Sequence, residues 1–316
     1  ETPPMKPAYL GIDTSNYTTS AAVWLLTEGR VLSQKQLLPV DANAKGLRQS
    51  DAVFAHVKQL ADVIRRLCEQ EDFSLRGVCA STVPRPVSGS YMPAFLVGKM
   101  AAETAAALLR VPFYTCSHQE GHIMAALYSA NALFLRREPF YAFHVSGGTT
   151  ECLRVTPTEG LFSIEKLAGT LDLNAGQLID RVGVTLGLRF PCGAELDRMA
   201  QAYGRPLRAK PSMEGLNAHF SGAQNQCERL LSLGGSREET ARYAIEYVCA
   251  AVDEMTARVM EAYGKLPVVY AGGVMSNSLC RDRLTKKYGG YFAEAAFSSD
   301  NAAGVALIGA IKDGVI

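Results

Sequence analysis

The 316-residue chain carries 32 Lys and Arg against 31 Asp and Glu, a net charge of +1, with 48% hydrophobic and 20% charged residues. That balance excludes a disordered polyelectrolyte and a strongly basic nucleic-acid binder, so a nucleic-acid partner would need a local patch, such as Arg205, Arg208 and Lys210 or Lys286 and Lys287. The length suits two domains with substantial cores, and the absence of a long apolar run argues against a membrane span or a secretory segment.

In chain order, residues 9–12 read as an apolar strand, followed by a small polar turn from Asp13 to Thr19 and strands at 21–26 and 31–38. A helix is expected over 50–69, where Val53, Phe54, Val57, Leu60, Ile64 and Leu67 recur at helical spacing. A buried strand at 77–82, an Ala-rich helix at 90–109 and a strand at 112–115 lead to a helix at 118–129. Near residue 140 the pattern begins again, with a strand at 140–145, the turn Ser146-Gly147-Gly148-Thr149-Thr150, and strands at 151–155 and 162–168. Helices follow at 174–186, 194–203 and 237–263, then a strand at 267–271, a helix from Asn277 and a last helix at 300–313. The 8 cysteines (68, 79, 116, 152, 192, 227, 249 and 280) form no C-x-x-C pair and read as reduced, mostly buried thiols of a cytoplasmic protein.

The most telling stretch is His118-Gln119-Glu120-Gly121-His122. Residues i and i+4 are separated by roughly 400° of helical turn, so both imidazoles lie on one face and suit a single metal ion. Glu120 falls about 200° from His118, pointing away, unlike the Glu of the zinc-peptidase H-E-x-x-H. A metalloprotease is therefore disfavoured. Asp300, in Ser299-Asp300-Asn301-Ala302-Ala303-Gly304, is a candidate third ligand; an Asp before a helix also serves as an N-cap.

The turns after Ile12 and Val145 both join a strand to a returning strand through small residues. A three-stranded meander built twice, each copy continued by helices and strands, is the layout of the actin, sugar-kinase and chaperone-ATPase superfamily. The fold expected is thus α/β, a duplicated actin-like (ASKHA) fold with two lobes and a central nucleotide cleft. One lobe would span 5–135 and carry the His pair, and the other 136–316. In that superfamily backbone N–H groups of the two turns cradle phosphates. Neither a Walker A loop nor a dinucleotide G-x-G-x-x-G is present.

Taken together, the motifs resemble the TsaD family of tRNA N6-adenosine threonylcarbamoyltransferases, once labelled glycoproteases. His118-Gln119-Glu120-Gly121-His122 is similar to its H-x-E-G-H, and Ser299-Asp300-Asn301-Ala302-Ala303 to its T-D-N-A-A. The resemblance implies that His118, His122 and Asp300 hold one divalent ion, Fe2+ or Zn2+. His144, Val145, Ser146, Gly147 and Gly148 match the V-S-G-G substrate loop. Asp180 matches the Asp of G-E-x-F-D, Gly193 the last Gly of P-G-G, and Asn277 the Asn of G-G-V-x-x-N. The implied substrate is threonylcarbamoyl-adenylate, or ATP/AMP in the same cleft, with tRNA as acceptor. A smaller fold-related protein and an ATPase are the implied partners, with no membrane. Asp13 is a candidate proton acceptor or positioning group, its ordinary role being to cap its own turn.

Four motifs depart from the family pattern. Pro84-Arg85-Pro86-Val87-Ser88-Gly89 stands for G-P-G-L-x-G, and Thr149 for the His of S-G-G-H-T. Gln177 stands for the Glu of G-E-x-F-D, and Gln224 for the Lys of F-S-G-L-K. These changes point to a divergent paralogue. The alternative they raise is a metal- and nucleotide-binding relative with another acceptor, or a non-catalytic partner.

Overall fold

A computed structural model describes residues 5–15, 17–39, 47–297 and 302–316. Two compact units emerge, Glu1–Tyr128 with Ala296–Ile316, and Ser129–Ala295. The division expected at 135/136 is corrected on both counts: the boundary falls earlier, and the C-terminal segment returns to the first unit.

In the first unit, strands β1 (Lys6–Asp13), β2 (Thr18–Leu25) and β3 (Arg30–Leu37) form an antiparallel meander. Helix α1 (Gln49–Cys68), strand β4 (Phe73–Val83), helix α2 (Phe95–Leu109), strand β5 (Phe113–Ser117) and helix α3 (His118–Ser129) follow. The sheet order is β3-β2-β1-β4-β5, with β4 parallel to β1 and β5 parallel to β4. A strand in the middle of such a sheet is covered on both faces, which is why β1 and β2 are almost wholly buried instead of alternating. Leu10, Ile12, Val23, Leu60, Val63, Val78 and Val97 make up much of the core.

Helix α1 sits in a different rotation from the one its aliphatic residues suggest. Phe54 and Val57 are 61% and 56% exposed, whereas His56 is fully buried beside Ala52, Leu60 and Val63. The Ala-rich helix begins at Phe95, since residues 90–94 are spent on turns that end in Ala94.

The second unit repeats the plan. Strands β6 (Phe140–Val145), β7 (Thr150–Pro157) and β8 (Phe162–Gly169) form the second meander. Helices α4 (Ala175–Thr185) and α5 (Gly193–Ala202), the short hairpin β9 (Ser212–Glu214) and β10 (Asn217–His219), and helices α6 (Ser221–Ser232) and α7 (Arg237–Tyr263) come next. Strand β11 (Val268–Ala271), helix α8 (Ser278–Tyr288) and strand β12 (Tyr291–Phe292) complete it. Its order, β12-β11-β6-β7-β8, is that of the first sheet, with the opening strand of the meander again central and the later strands parallel to it. The duplication is thus a property of hydrogen-bonded topology.

The last helix, α9 (Ala302–Lys312), packs on the first sheet. Its small residues permit this: a Cβ on Gly11 of β1 would overlap the α9 backbone at Ala302 and Ala306, and one on Gly304 would overlap the Gly121 carbonyl of α3. Backbones this close tolerate only glycine at the crossing. Among the described residues no helix is long and apolar enough to cross a membrane. One expectation about the cysteines is also corrected: Cys249 of α7 and Cys280 of α8 form a disulfide, with Cα atoms 4.9 Å apart.

Candidate functional site

In the first unit the chemistry gathers where β5 passes into α3. Ser117 and Glu120 form a capping box: Ser117 Oγ accepts the Glu120 N–H (3.2 Å), and Glu120 Oε2 accepts the Ser117 N–H (2.7 Å). The Pro84 carbonyl accepts the next N–H, from Gln119 (3.1 Å). Glu120 is therefore engaged at the start of its own helix, in agreement with its offset from the His face. Pro84 of the 84–89 loop thus serves the same helix end through its carbonyl.

The imidazoles of His118 and His122 lie with centroids 4.5 Å apart and planes inclined by 73°. His118 Nδ1 meets Asp13 Oδ2 at 2.9 Å. Asp13, 1% exposed at the end of β1, also accepts Ser81 Oγ on Oδ1 (2.5 Å) and Ser15 Oγ on Oδ2 (3.1 Å). Burial pushes its carboxyl up, but the charge and hydrogen bond of His118, with the Ser81 hydroxyl, outweigh that and hold it below the usual carboxylate range.

Two imidazoles on adjacent turns are a donor set that fits Fe2+ or Zn2+, the borderline ions that imidazole and carboxylate prefer. Among the described residues no group of three or more His, Cys, Asp or Glu side chains is assembled for a metal. Asp300, the expected third ligand, lies outside the described residues.

The second unit brings its motif residues together around the end of β6. Val145 is the last residue of that strand, and His144 pairs across it with Glu151 of β7. The turn beyond is held by one side chain: Ser146 Oγ accepts the N–H groups of Gly148 (3.3 Å) and Thr149 (3.1 Å). A Cβ on Gly147 or Gly148 would meet nothing within 4 Å, so this turn is open. Helix α4 starts against it, Gly176 N donating to Ser146 O (3.1 Å) and Ala175 N to Thr150 Oγ1 (2.9 Å). Gly272, at φ 101°, packs so tightly that a Cβ would strike the Val145 carbonyl. Three sequence motifs thus converge by backbone contact.

Beside them Asp180 Oδ1 accepts the Cys192 N–H (2.9 Å), and this fixes the chain entering α5 at Gly193, whose Cα faces open space. Asn277 caps α8 by accepting Cys280 N–H (3.1 Å) and donates Nδ2 to Asp197 Oδ1 (2.6 Å). Asp197 was not singled out from sequence, although it lies four residues after Gly193 and so shares its face of α5. Two departures from the family pattern have local roles. Gln177 Oε1 accepts the Asn174 N–H (2.9 Å), doing the work of a capping-box Glu, and Gln224 links Arg181 to Glu228.

Comparison with solved structures supports the fold. The chain is similar to HypF from T. kodakarensis at 12% identity and TM-score 0.61, spanning 98% of this chain and about half (48%) of that one. The (R)-2-hydroxyglutaryl-CoA dehydratase component A of Acidaminococcus fermentans aligns at 14% identity and TM-score 0.52, over 97% of this chain and 99% of that one. The activator of the 2-hydroxyisocaproyl-CoA dehydratase from Clostridium difficile aligns at 11% identity and TM-score 0.53, over 97% and 96%. These likenesses establish the actin-like α/β fold. The family model for tRNA N6-adenosine threonylcarbamoyltransferase matches residues 31–307, the bulk of the chain, and the protein belongs to the TsaD family.

Proposed function

We propose that the chain transfers a threonylcarbamoyl group from threonylcarbamoyl-adenylate to the N6 amine of the adenosine next to the anticodon of tRNA. The observation that carries this reading is the His118–His122 pair, with Nδ1 of His118 taken by a buried carboxylate, in a chain matched by the TsaD family model. A divalent ion, Fe2+ or Zn2+, held by His118 and His122 with Asp300 as third ligand, would polarise the carbamoyl carbonyl when bound.

The rest is positioning. Asp180, Gly193, Asp197 and Asn277 hold the adenosine half of the substrate, and the open turn from His144 to Gly148 faces its phosphate and acyl portion. The attacking amine forms a C–N bond to the carbamoyl carbon while the C–O bond to the phosphate breaks; AMP leaves with the electron pair, and the amine proton passes to solvent. No protein nucleophile is required, because oriented reactants and an activated acyl phosphate suffice. Two solved relatives of the same fold carry nucleotide, one HypF and the C. difficile activator with ADPNP, which suits an adenylate here. The same reading makes tRNA the acceptor and assigns a smaller fold-related protein and an ATPase as partners.

Purified protein is expected to contain close to one equivalent of iron or zinc, lost in His118→Ala. With threonylcarbamoyl-adenylate and unmodified tRNA, mass spectrometry of digested tRNA should detect the modified nucleoside, and His118→Ala should abolish it. Thr149 and Gln224, where the family has His and Lys, favour a second reading in which the acceptor has changed. Adenylate bound and hydrolysed without any modified nucleoside would select that reading and reject the first.

A further inference from the structure

The role of Asp13 can be taken further than the sequence allowed, on the reading above that His118 binds a metal. We infer that Asp13 is a positioning residue that fixes the tautomer and ring orientation of His118, and that it takes no proton from the substrate. Three observations carry this. The carboxylate is 1% exposed at the end of β1, so it is not presented to a group arriving from solvent. Its oxygens are already engaged: Ser81 Oγ at 2.5 Å on Oδ1, and Ser15 Oγ at 3.1 Å and His118 Nδ1 at 2.9 Å on Oδ2. Those contacts come from β4, the turn itself and α3, so the carboxylate is clamped from three directions.

The proton count then assigns the tautomer. A serine hydroxyl has one hydrogen, and each of these two is directed at Asp13. An ionised carboxylate can only accept, so His118 must donate from Nδ1. In the neutral, metal-binding form of the imidazole, a hydrogen on Nδ1 leaves the lone pair on Nε2, the nitrogen a metal ion would take. The buried carboxylate, by holding the ring and its tautomer, acts as metal-site carboxylates commonly do behind a ligating histidine, where their loss typically weakens binding about 10- to 100-fold. Asp13 and His118 are 105 residues apart, and the end of β1 is the element that delivers the carboxylate.

Zn(II) affinity of the full chain, measured by competition with a chromophoric chelator, tests the assignment. Asp13→Asn is expected to weaken Zn(II) binding at least tenfold while the circular-dichroism spectrum and thermal midpoint stay close to wild type, whereas Ser81→Ala, which leaves the Asp13–His118 contact intact, should weaken it less. Equal Zn(II) affinity in Asp13→Asn and wild type would overturn the proposal. Should Asp13→Asn fail to fold, long-range 1H–15N spectra of metal-free wild type in alkaline buffer still decide, since they report the His118 tautomer without any metal. Hydrogen on Nδ1 supports the assignment, and hydrogen on Nε2 sinks it even where Zn(II) binds. Failure of wild type to bind Zn(II) or Fe(II), with hydrogen on Nδ1, would instead remove the metal reading on which the proposal stands.

Discussion

The two meander turns occupy the same place in two sheets of the same strand order, yet their chemistry is opposite. The turn after β1 is closed: Asp13, Thr14 and Ser15 are buried, and Thr14 Oγ1 donates to Ala94 O and accepts the Gly98 N–H of α2. The turn after β6 is open, with Gly147 and Gly148 exposed, and it is held by the Ser146 hydroxyl, the Ser146 N–H to Thr149 O bond and the start of α4. One copy of the duplicated element has become the support of an imidazole pair, and the other has kept bare backbone toward solvent. Topology alone does not assign a ligand to a turn. The side chains at its ends do.

Glycine substitutions break this comparison most directly. Gly304→Ala places a methyl group on the Gly121 carbonyl beneath the His helix, and neither backbone can move independently of its sheet or helix. A destabilisation of about 3 kcal/mol or more is expected, the upper range for overpacking, as a lowered denaturant midpoint. Gly148→Ala meets nothing within 4 Å and keeps its N–H, so stability should stay within about 0.5 kcal/mol of wild type. Its added methyl instead crowds the ligand side of the turn, and AMP binding should weaken by about 1 kcal/mol, roughly fivefold, by calorimetry. Equal destabilisation by both substitutions would mean that the second turn is packed and that the contrast is wrong.

The closed turn also carries a pH signature. His56 Nδ1 lies 2.8 Å from Thr19 Oγ1, and because that hydroxyl donates to Gln59 Oε1, His56 is the donor. Among the described residues nothing bonds its buried Nε2, and burial depresses the imidazole from 6.5 to about 4, against a smaller upward pull from Asp13. A histidine with a folded-state value below its unfolded one stabilises the fold fully above pH 6.5. That stability is lost as pH falls from there toward 4, because the unfolded chain takes the proton more readily. At pH 5 the loss should be about 2 kcal/mol relative to pH 8, and His56→Leu should flatten the profile over this interval. An unchanged pH profile in His56→Leu would show that His56 does not titrate as its burial requires.

Much of this was legible from residues alone, and the reason differs from element to element. The 237–263 helix was read with its observed bounds because Ser236 caps it, accepting Glu239 N–H (3.1 Å), and polar and apolar residues recur at helical spacing over its length. The paired turns were visible because small residues interrupt apolar strands twice. Helix α6 was missed because it opens on Ser221-Gly222, and the three-residue strands β9 and β10 are too short to alternate. The Cys249–Cys280 pair spans 31 residues with no spacing signal, and the C-terminal helix gave no hint that it packs on the first sheet. For the site, residue types and helical spacing identified the His pair, whereas its carboxylate partner required the fold to close a long loop.

The smallest expected effect concerns how the open side is braced. Where the first unit commits a buried carboxylate to an imidazole, the second commits Asp172 to backbone. Its oxygens accept N–H groups of Leu173 (2.6 Å), Phe220 (2.7 Å) and Ser221 (3.1 Å), tying the segment after β8 to the start of α6. Burial alone would raise this carboxyl, but those N–H groups and the Ser221 hydroxyl pull it down to about 2. A depressed carboxylate stabilises the fold above its unfolded value of 3.8 and loses that contribution as pH falls toward 2. Asp172→Ala should cost about 1 kcal/mol at pH 7, as loss of a helix cap does, and the difference from wild type should shrink toward pH 2. A constant difference across that interval would mean that the side chain acts by packing and not by charge, leaving α6 held by its neighbours and the open turn braced from α4 alone.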